Sequence, residues 1–281
     1  METLMSFFDK HGSRVWRGKY LRDCRFMIQR LSDFNDNEEK PLSSFKASDI
    51  YPFTDYLTQL GLSDSTVNRY LACYSGLFSL AVEMEQAEDV PRVRWKKVSK
   101  SRPRYFTDLE LSHMQAFLRN TRNPWIADFV ILAVNTGMRL GEILSINNPK
   151  SKTKGYVTPC GSFVTLHDTK NGEERLVPLN LSAKDALYRL HNRPWSHYSH
   201  RRFYDTWKGM RDELAPGDDN YVFHVLRHTC ATKLAMEHNV DAITLGKILG
   251  HRSQATTAKY VHTKPASLQN IMKKLDMSEA S

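Results

Sequence analysis

His224-Val225-Leu226-Arg227-His228-Thr229-Cys230-Ala231-Thr232 is followed by Leu249-Gly250-His251 and, nine residues further on, by Tyr260. The whole segment reads as three short helices joined by tight turns. Upstream, Thr136-Gly137-Met138-Arg139-Leu140-Gly141-Glu142 places a second arginine in a glycine-bounded helical context. In-line attack on a phosphodiester puts extra negative charge on the non-bridging oxygens and demands a proton for the departing 5′ oxygen. Without a metal, guanidinium groups are the natural clamp, because each donates two parallel hydrogen bonds to phosphate oxygens. Two arginines, two histidines and a late tyrosine are therefore the residue types that a phosphoryl transfer through a phosphotyrosine requires.

Each residue also has a plainer reading. A lone arginine is usually a surface ion pair, although an i,i+3 spacing puts His224 and Arg227 on one helical face. His224 and His228 stand at i,i+4, a zinc spacing, yet no glutamate follows His224 and no third ligand is evident. His251, directly after Gly250, suits either a phosphate donor at a helix end or a C-terminal cap. Tyrosines are mostly core or interface residues, but Ser253-Gln254-Ala255-Thr256-Thr257-Ala258-Lys259 is small and polar, so the Tyr260 ring is expected to have little local apolar surface. A phenol, with an unperturbed pKa of about 10, becomes a nucleophile only beside cations or a base.

The chain has 281 residues, 41% hydrophobic and 25% charged, an ordinary globular composition with room for two domains. Its 40 Lys+Arg against 31 Asp+Glu leave a net charge of +9, which favours a polyanionic partner without proving one. Cys24, Cys73, Cys160 and Cys230 show neither a CxxC pair nor a disulfide spacing. No leader or membrane-spanning run is evident, so a cytoplasmic protein with no membrane partner is expected.

Residues 1–90 predict an all-helical module. Trp16, Tyr20, Phe26, Met27, Ile28 and Leu31 give one apolar pattern, with about a dozen residues expected before the first helix. Ser48-Asp49 opens a second helix that Gly61 closes, and a third begins at Ser63 with Asn68 and Arg69 expected to look outward. Residues 91–105 then carry Arg92, Arg94, Lys96, Lys97, Lys100, Arg102 and Arg104 with no acid, a basic interdomain linker suited to tracking a phosphate backbone. The alternative is a solvated linker that happens to be basic. Residues 106–264 predict a mixed domain. Thr107-Asp108-Leu109-Glu110 resembles a capping box, Trp125 to Val134 is an apolar helix that Gly137 breaks, and Gly155 to Leu179 alternates as an antiparallel sheet around Asn171-Gly172. Helices follow over Ala183–His191 and Ser199–Leu214. The tail, residues 265–281, carries Leu268, Ile271, Met272 and Leu275 as an apolar stripe suited to exchange between protomers or to packing on its own domain.

Taken together, these motifs and the hairpin lysine in Thr169-Lys170-Asn171-Gly172 resemble the tyrosine recombinase (phage integrase) family over roughly Thr107 to Tyr260. The resemblance implies a mainly α fold with a small antiparallel β-sheet: a helical core-binding domain and a mixed α/β catalytic domain. It implies that Tyr260 forms a 3′-phosphotyrosyl bond while Lys170 protonates the leaving 5′ hydroxyl. Arg139 and Arg227 would hold the phosphate, His224 would assist proton transfer, His251 would hydrogen-bond the phosphate, and Glu142 would orient Arg139. It implies no metal and no other cofactor, with double-stranded DNA as partner, a homotetramer on two sites, and room for accessory DNA-bending proteins. The source would be bacterial, or a phage or mobile element. Ser145 to Gly161 lacks the Trp-x-Asp-Ile-like strand of the family, and Lys150, Lys152 and Lys154 compete with Lys170. A compact recombinase without a preceding arm-binding module is expected. The rivals are a type IB topoisomerase-like relaxing enzyme and a non-catalytic DNA-binding regulator of the same fold.

Overall fold

Thr3, Ser63 and Thr107 each stand just before a helix and accept a backbone N–H three residues on, which satisfies one of the donors that a helix start leaves unpaired. The computed structural model describes residues 2–34, 39–98, 104–148, 151, 154–167, 174–191, 198–251, 257 and 260. The chain divides into two compact units, Met1–Ser101 and Arg102–Ser281.

The first unit is helical, with α1 (Leu4–Val15), α2 (Gly18–Ser32), α3 (Ala47–Gln59) and α4 (Asp64–Glu83). The helix α1 corrects the expected start of helical structure. Thr3 and Ser6 form a reciprocal capping box, and Leu4, Phe7 and Phe8 supply a short apolar stripe that is fully packed. The α2 pattern is narrower than expected: Cys24, Met27, Ile28 and Leu31 are buried, while Phe26 is 63% exposed. On α4, Val67, Tyr70, Leu71, Tyr74, Leu77 and Phe78 fill the core, where each fully buried side chain of this size contributes roughly 1.5–3 kcal/mol. Tyr74 keeps its hydroxyl satisfied by donating to the Met27 carbonyl at 3.2 Å. Asn68 departs from its expected outward role. Its amide donates to the Lys96 carbonyl at 2.9 Å and accepts the Lys96 N–H at 2.8 Å, tying the basic stretch to α4.

The second unit is built round α6 (Trp125–Thr136), buried along almost its whole length and flanked by α5 (Asp108–Arg119), α8 (Leu181–His191) and α10 (His224–Met236). The short α7 (Leu140–Ile143) leads to a three-stranded antiparallel sheet in the order β1 (Lys154–Val157), β2 (Phe163–His167), β3 (Glu174–Pro178). Val164, Leu166 and Val177 face the core, whereas Tyr156 and Leu176 face out, the alternation a half-buried sheet requires. The helices α9 (His200–Leu214) and α11 (Ala242–Leu249) complete the unit, and Thr229 on α10 accepts the Phe106 N–H at 2.9 Å. The mainly helical architecture with one small antiparallel sheet is as expected from the sequence. Lys170 with its Asn171-Gly172 turn, Lys100, Arg102, Lys150, Lys152 and the tail 265–281 lie outside the described residues. Among the described residues, no helix is long and apolar enough to cross a membrane.

Gly137 ends α6 at φ +66, and a Cβ there would meet Leu249 Cδ2 at 2.4 Å. Gly137→Ala should therefore combine left-handed strain with a clash and cost about 2 kcal/mol or more. Gly141→Ala, with nothing within 4 Å of its Cβ, serves as the control. Thermal unfolding of the two variants should separate them by several degrees; equal midpoints would show that the contact with Leu249 yields freely.

Candidate active site

Two helix ends face each other in the second unit. Both α6 and α11 stop at a left-handed glycine, Gly137 and Gly250, and each end carries carbonyls with no partner in its own helix. Arg227 joins them. Its Nη1 donates to the Gly137 carbonyl at 2.7 Å and its Nη2 to the Leu249 carbonyl at 2.5 Å, and the residue is only 2% exposed. A cation between two helix C-termini also meets the negative ends of both dipoles.

Arg175 on β3 donates to the same Leu249 carbonyl and, at 2.9 Å, to Glu142 Oε2. Gly250 is required beside it, since a Cβ there would lie 2.3 Å from Arg175 Nη1. Arg139 is the N-cap of α7. Glu142 accepts its backbone N–H at 2.8 Å and its Nη1 at 2.7 Å, so one carboxylate orients Arg139 and bridges it to Arg175. Burial pulls the Arg227 guanidinium down to about 10, and the nearby Arg139 adds to the effect while Glu142 opposes it. Burial lowers Arg175 as well, with Glu142 working against it and Arg139 with it. Two guanidinium groups thus bind one carboxylate with a third within its electrostatic reach, an excess of positive charge whose most exposed member is Arg139, with 46% of its side chain open. Such a cluster is suited to an anion with several acceptor oxygens.

Tyr260 corrects the expectation drawn from its polar flank. It is 4% exposed and packs with Ala231, Leu245 and Leu249, because the apolar surface comes from α10 and α11 rather than from neighbouring residues. Burial pushes its phenol up to about 12, with Arg227 pulling the other way. Its hydroxyl is hydrogen-bonded to His228 Nδ1. The His251 ring lies nearly parallel to the Tyr260 ring at 6.4 Å, and His251 Nδ1 meets Thr257 Oγ1 at 2.8 Å. His224, the exposed first residue of α10, sets its ring edge-to-face on His228 at 4.8 Å. Among the described residues, no three His, Cys, Asp or Glu side chains cluster as metal ligands would.

Arg139, Arg227, Glu142, His224, His251 and Tyr260 therefore fall around one site, joined by Arg175 and His228, to which no motif in the sequence gives such a role. Arg175 had a signal: it shares the inward face of β3 with buried Val177, an unusual place for a charge. In the sequence His228 stands out only through its zinc-like i,i+4 spacing from His224. Of the linker cations, Arg92, Arg94 and Lys97 are exposed and Lys96 is held by Asn68. Arg104 departs from the expected DNA contact, since its guanidinium pairs with Glu110 at 2.7 Å and Asp218 at 2.9 Å and covers Phe106 and Tyr221. Lys154, the one competing lysine among the described residues, opens β1 half-buried.

The model of the phage integrase family matches residues 104–267. The chain is 30% identical to a shufflon-specific DNA recombinase of Escherichia coli over 259 residues, covering 90% of this chain and 64% of that protein. It is 30% identical to the integrase of Escherichia phage P2 over 216 residues, covering 75% of this chain and 59% of that protein. The chain thus spans about three fifths of the length of these two relatives. Against the tyrosine recombinase XerD of Oceanobacillus iheyensis, identity is 25% over 94% of that protein and 93% of this chain. In fold it resembles the Tn1549 transposon integrase in complex with a circular intermediate DNA, with a TM-score of 0.74, 17% identity and coverage of 98% of this chain and 100% of that one. A lambda integrase dimer bound to a COC′ core site gives a TM-score of 0.68 at 17% identity, over 94% and 97% of the two chains.

The Arg175 to Glu142 contact makes a measurable claim on stability. Arg175→Met should lower it by roughly 1–3 kcal/mol, since both the Leu249 carbonyl and the Glu142 carboxylate lose a charged donor. In a double-mutant cycle with Glu142→Gln, urea denaturation should return a coupling of about 0.5–3 kcal/mol. Strict additivity would mean the ion pair contributes nothing.

Proposed function

The chain belongs to the phage integrase family, and from that membership and the geometry of its site we propose that it is a site-specific recombinase, cleaving and rejoining DNA through a 3′-phosphotyrosyl intermediate. The observation that carries the reading is the anchoring of Arg227 on the Gly137 and Leu249 carbonyls, which brings Arg139, Glu142, Arg175 and Tyr260 within electrostatic reach of one guanidinium. The relatives named as recombinases and integrases support it, as does the fold shared with the Tn1549 integrase.

In this reading the Tyr260 oxygen attacks phosphorus, the bond to the 5′ oxygen breaks, and Lys170 supplies that oxygen with its proton. Arg139 and Arg227 neutralise the charge that develops on the non-bridging oxygens, and His251 adds a hydrogen bond there. His224 assists proton transfer from the rim, and Glu142 holds Arg139 in its rotamer. The bond energy stays in the phosphotyrosine, so rejoining needs no nucleotide. Residues 1–90 serve as the core-binding domain, 91–105 as a linker whose Arg92, Arg94, Lys96, Lys97, Lys100 and Arg102 follow the phosphate backbone, and 106–264 as the catalytic domain. The tail, 265–281, is exchanged between protomers of a tetramer that holds two DNA sites, with accessory DNA-bending proteins as further partners.

A nicked DNA site that traps the covalent complex tests this. Tyr260→Phe should abolish the adduct while leaving DNA affinity within a few-fold, because the phosphate contacts remain. Arg139→Ala should slow cleavage by a factor of about 100–1,000, as removal of a transition-state donor does. Lys170→Ala should be rescued by a substrate with sulfur at the bridging 5′ position, since a thiolate leaves without a proton. An adduct that survives Tyr260→Phe would overturn the assignment, and rescue confined to a Lys150, Lys152 or Lys154 variant would move the acid.

A further inference from the structure

The Tyr260 hydroxyl has to lose its proton as it becomes a phosphate ester, and the site surrounds it in a way that makes this hard. The ring is enclosed by Ala231, Leu245 and Leu249, and burial holds the phenol protonated, with a pKa up at about 12. Arg227 favours the phenolate by its charge but has no lone pair to receive a proton. His251 lies parallel to the Tyr260 ring, with its Nδ1 on Thr257. His228 Nδ1, presented from α10 one residue beyond Arg227, is hydrogen-bonded to the phenol oxygen. The two rings stand 5.7 Å apart at 36°, and His224 packs edge-to-face against the far partner of that pair.

We propose that His228 is a catalytic residue, the base that takes the Tyr260 proton during cleavage and returns it on rejoining. This rests on Tyr260 being the nucleophile. Neutral His228, protonated at Nε2, accepts the phenol O–H at Nδ1. As the Tyr260 oxygen forms its bond to phosphorus, the phenol proton passes to Nδ1, while the bond from phosphorus to the 5′ oxygen breaks and that oxygen takes a proton from the general acid. In the reverse step the 5′ hydroxyl attacks, the tyrosyl oxygen leaves, and the imidazolium gives its proton back. The adjacency of Arg227 and His228 places a phosphate donor and a proton acceptor on one turn of a single helix, so one rigid element serves both ends of the attack. His224, more exposed and one turn earlier, then assists through its edge-to-face contact with His228 rather than on the phenol itself.

Single-turnover cleavage of the nicked substrate by the full chain tests this with two variants. His228→Phe keeps a ring in the packing but removes the acceptor, and His228→Asn keeps an acceptor but cannot be protonated. Each should cleave about 100-fold or more slowly, the scale of general-base assistance, with DNA affinity within a few-fold. Placing 3,5-difluorotyrosine at position 260 should restore at least ten-fold of the rate in His228→Phe at pH 8, because the more acidic phenol ionises unaided, a larger gain than the same replacement gives where His228 is kept. Wild-type cleavage by His228→Asn would overturn the proposal and leave His228 a hydrogen-bonding support. Slow cleavage that the fluorinated phenol does not rescue would overturn it too. An adduct that still forms in Tyr260→Phe would instead bring down the assignment of the nucleophile, so the two failures are distinguishable.

Discussion

The buried guanidinium of Arg227, shared between the carbonyls of Gly137 and Leu249, is the constraint on which the rest of the site depends. A helix that ends in the interior needs donors for its last carbonyls, and here two helices obtain them from one side chain. The arrangement works only because both helices end in a left-handed glycine. A side chain at Gly137 would strike Leu249, and one at Gly250 would strike Arg175. Position 139 follows from the same geometry, since Arg139, two residues beyond Gly137, is extended and caps α7 at Leu140. An arginine fixed in this way has lost its rotamer freedom on folding rather than on meeting a ligand, which is what a transition-state donor needs.

Charge balance is the second consequence. Arg139 and Arg175 share the carboxylate of Glu142, whose charge also offsets that of nearby Arg227, and the cluster keeps an excess of positive charge. Removing Glu142 would take from Arg139 its carboxylate partner and leave Arg175 and Arg227 to the carbonyls of Leu249 and Gly137. Removing Arg175 would leave Glu142 to compete with an incoming anion for Arg139. The carboxylate therefore sets both the orientation and the appetite of the exposed arginine.

Much of this architecture is legible in the residues themselves. Ser63 and Thr107 announce helix starts through their hydroxyls, Gly137 announces a stop, and the alternation of Phe163 to His167 with Arg175 to Val177 announces paired strands. The first helix escapes because its apolar stripe is short and begins almost at the chain's first residues. The positions of Arg139, Arg227, His224, His251 and Tyr260 can be read from motif spacing. Arg175 and His228 cannot, because what distinguishes them is created by contacts between distant segments: Arg175 meets Glu142 on another element, and His228 meets a tyrosine 32 residues away. The burial of Tyr260 escapes the sequence for the same reason, since its polar flank says nothing of the apolar wall that two helices bring to it. Arg104 shows the converse, a member of a basic run whose charge is used up by Asp218 far along the chain.

The two hydrogen bonds between Asn68 and Lys96 bear on how the basic stretch would meet a polyanion. A free cationic tether gives up roughly 1–2 kcal/mol of backbone freedom for each residue it orders on binding. Here α4 has already fixed the backbone of Lys96, between Arg94 and Lys97 in the run. The segment behaves less like a loose polycation, which accepts any arrangement of phosphates, and more like a short ruler. For the proposed contact with a phosphate backbone, such a segment would favour phosphates spaced to match, so that backbone shape would count beside charge density.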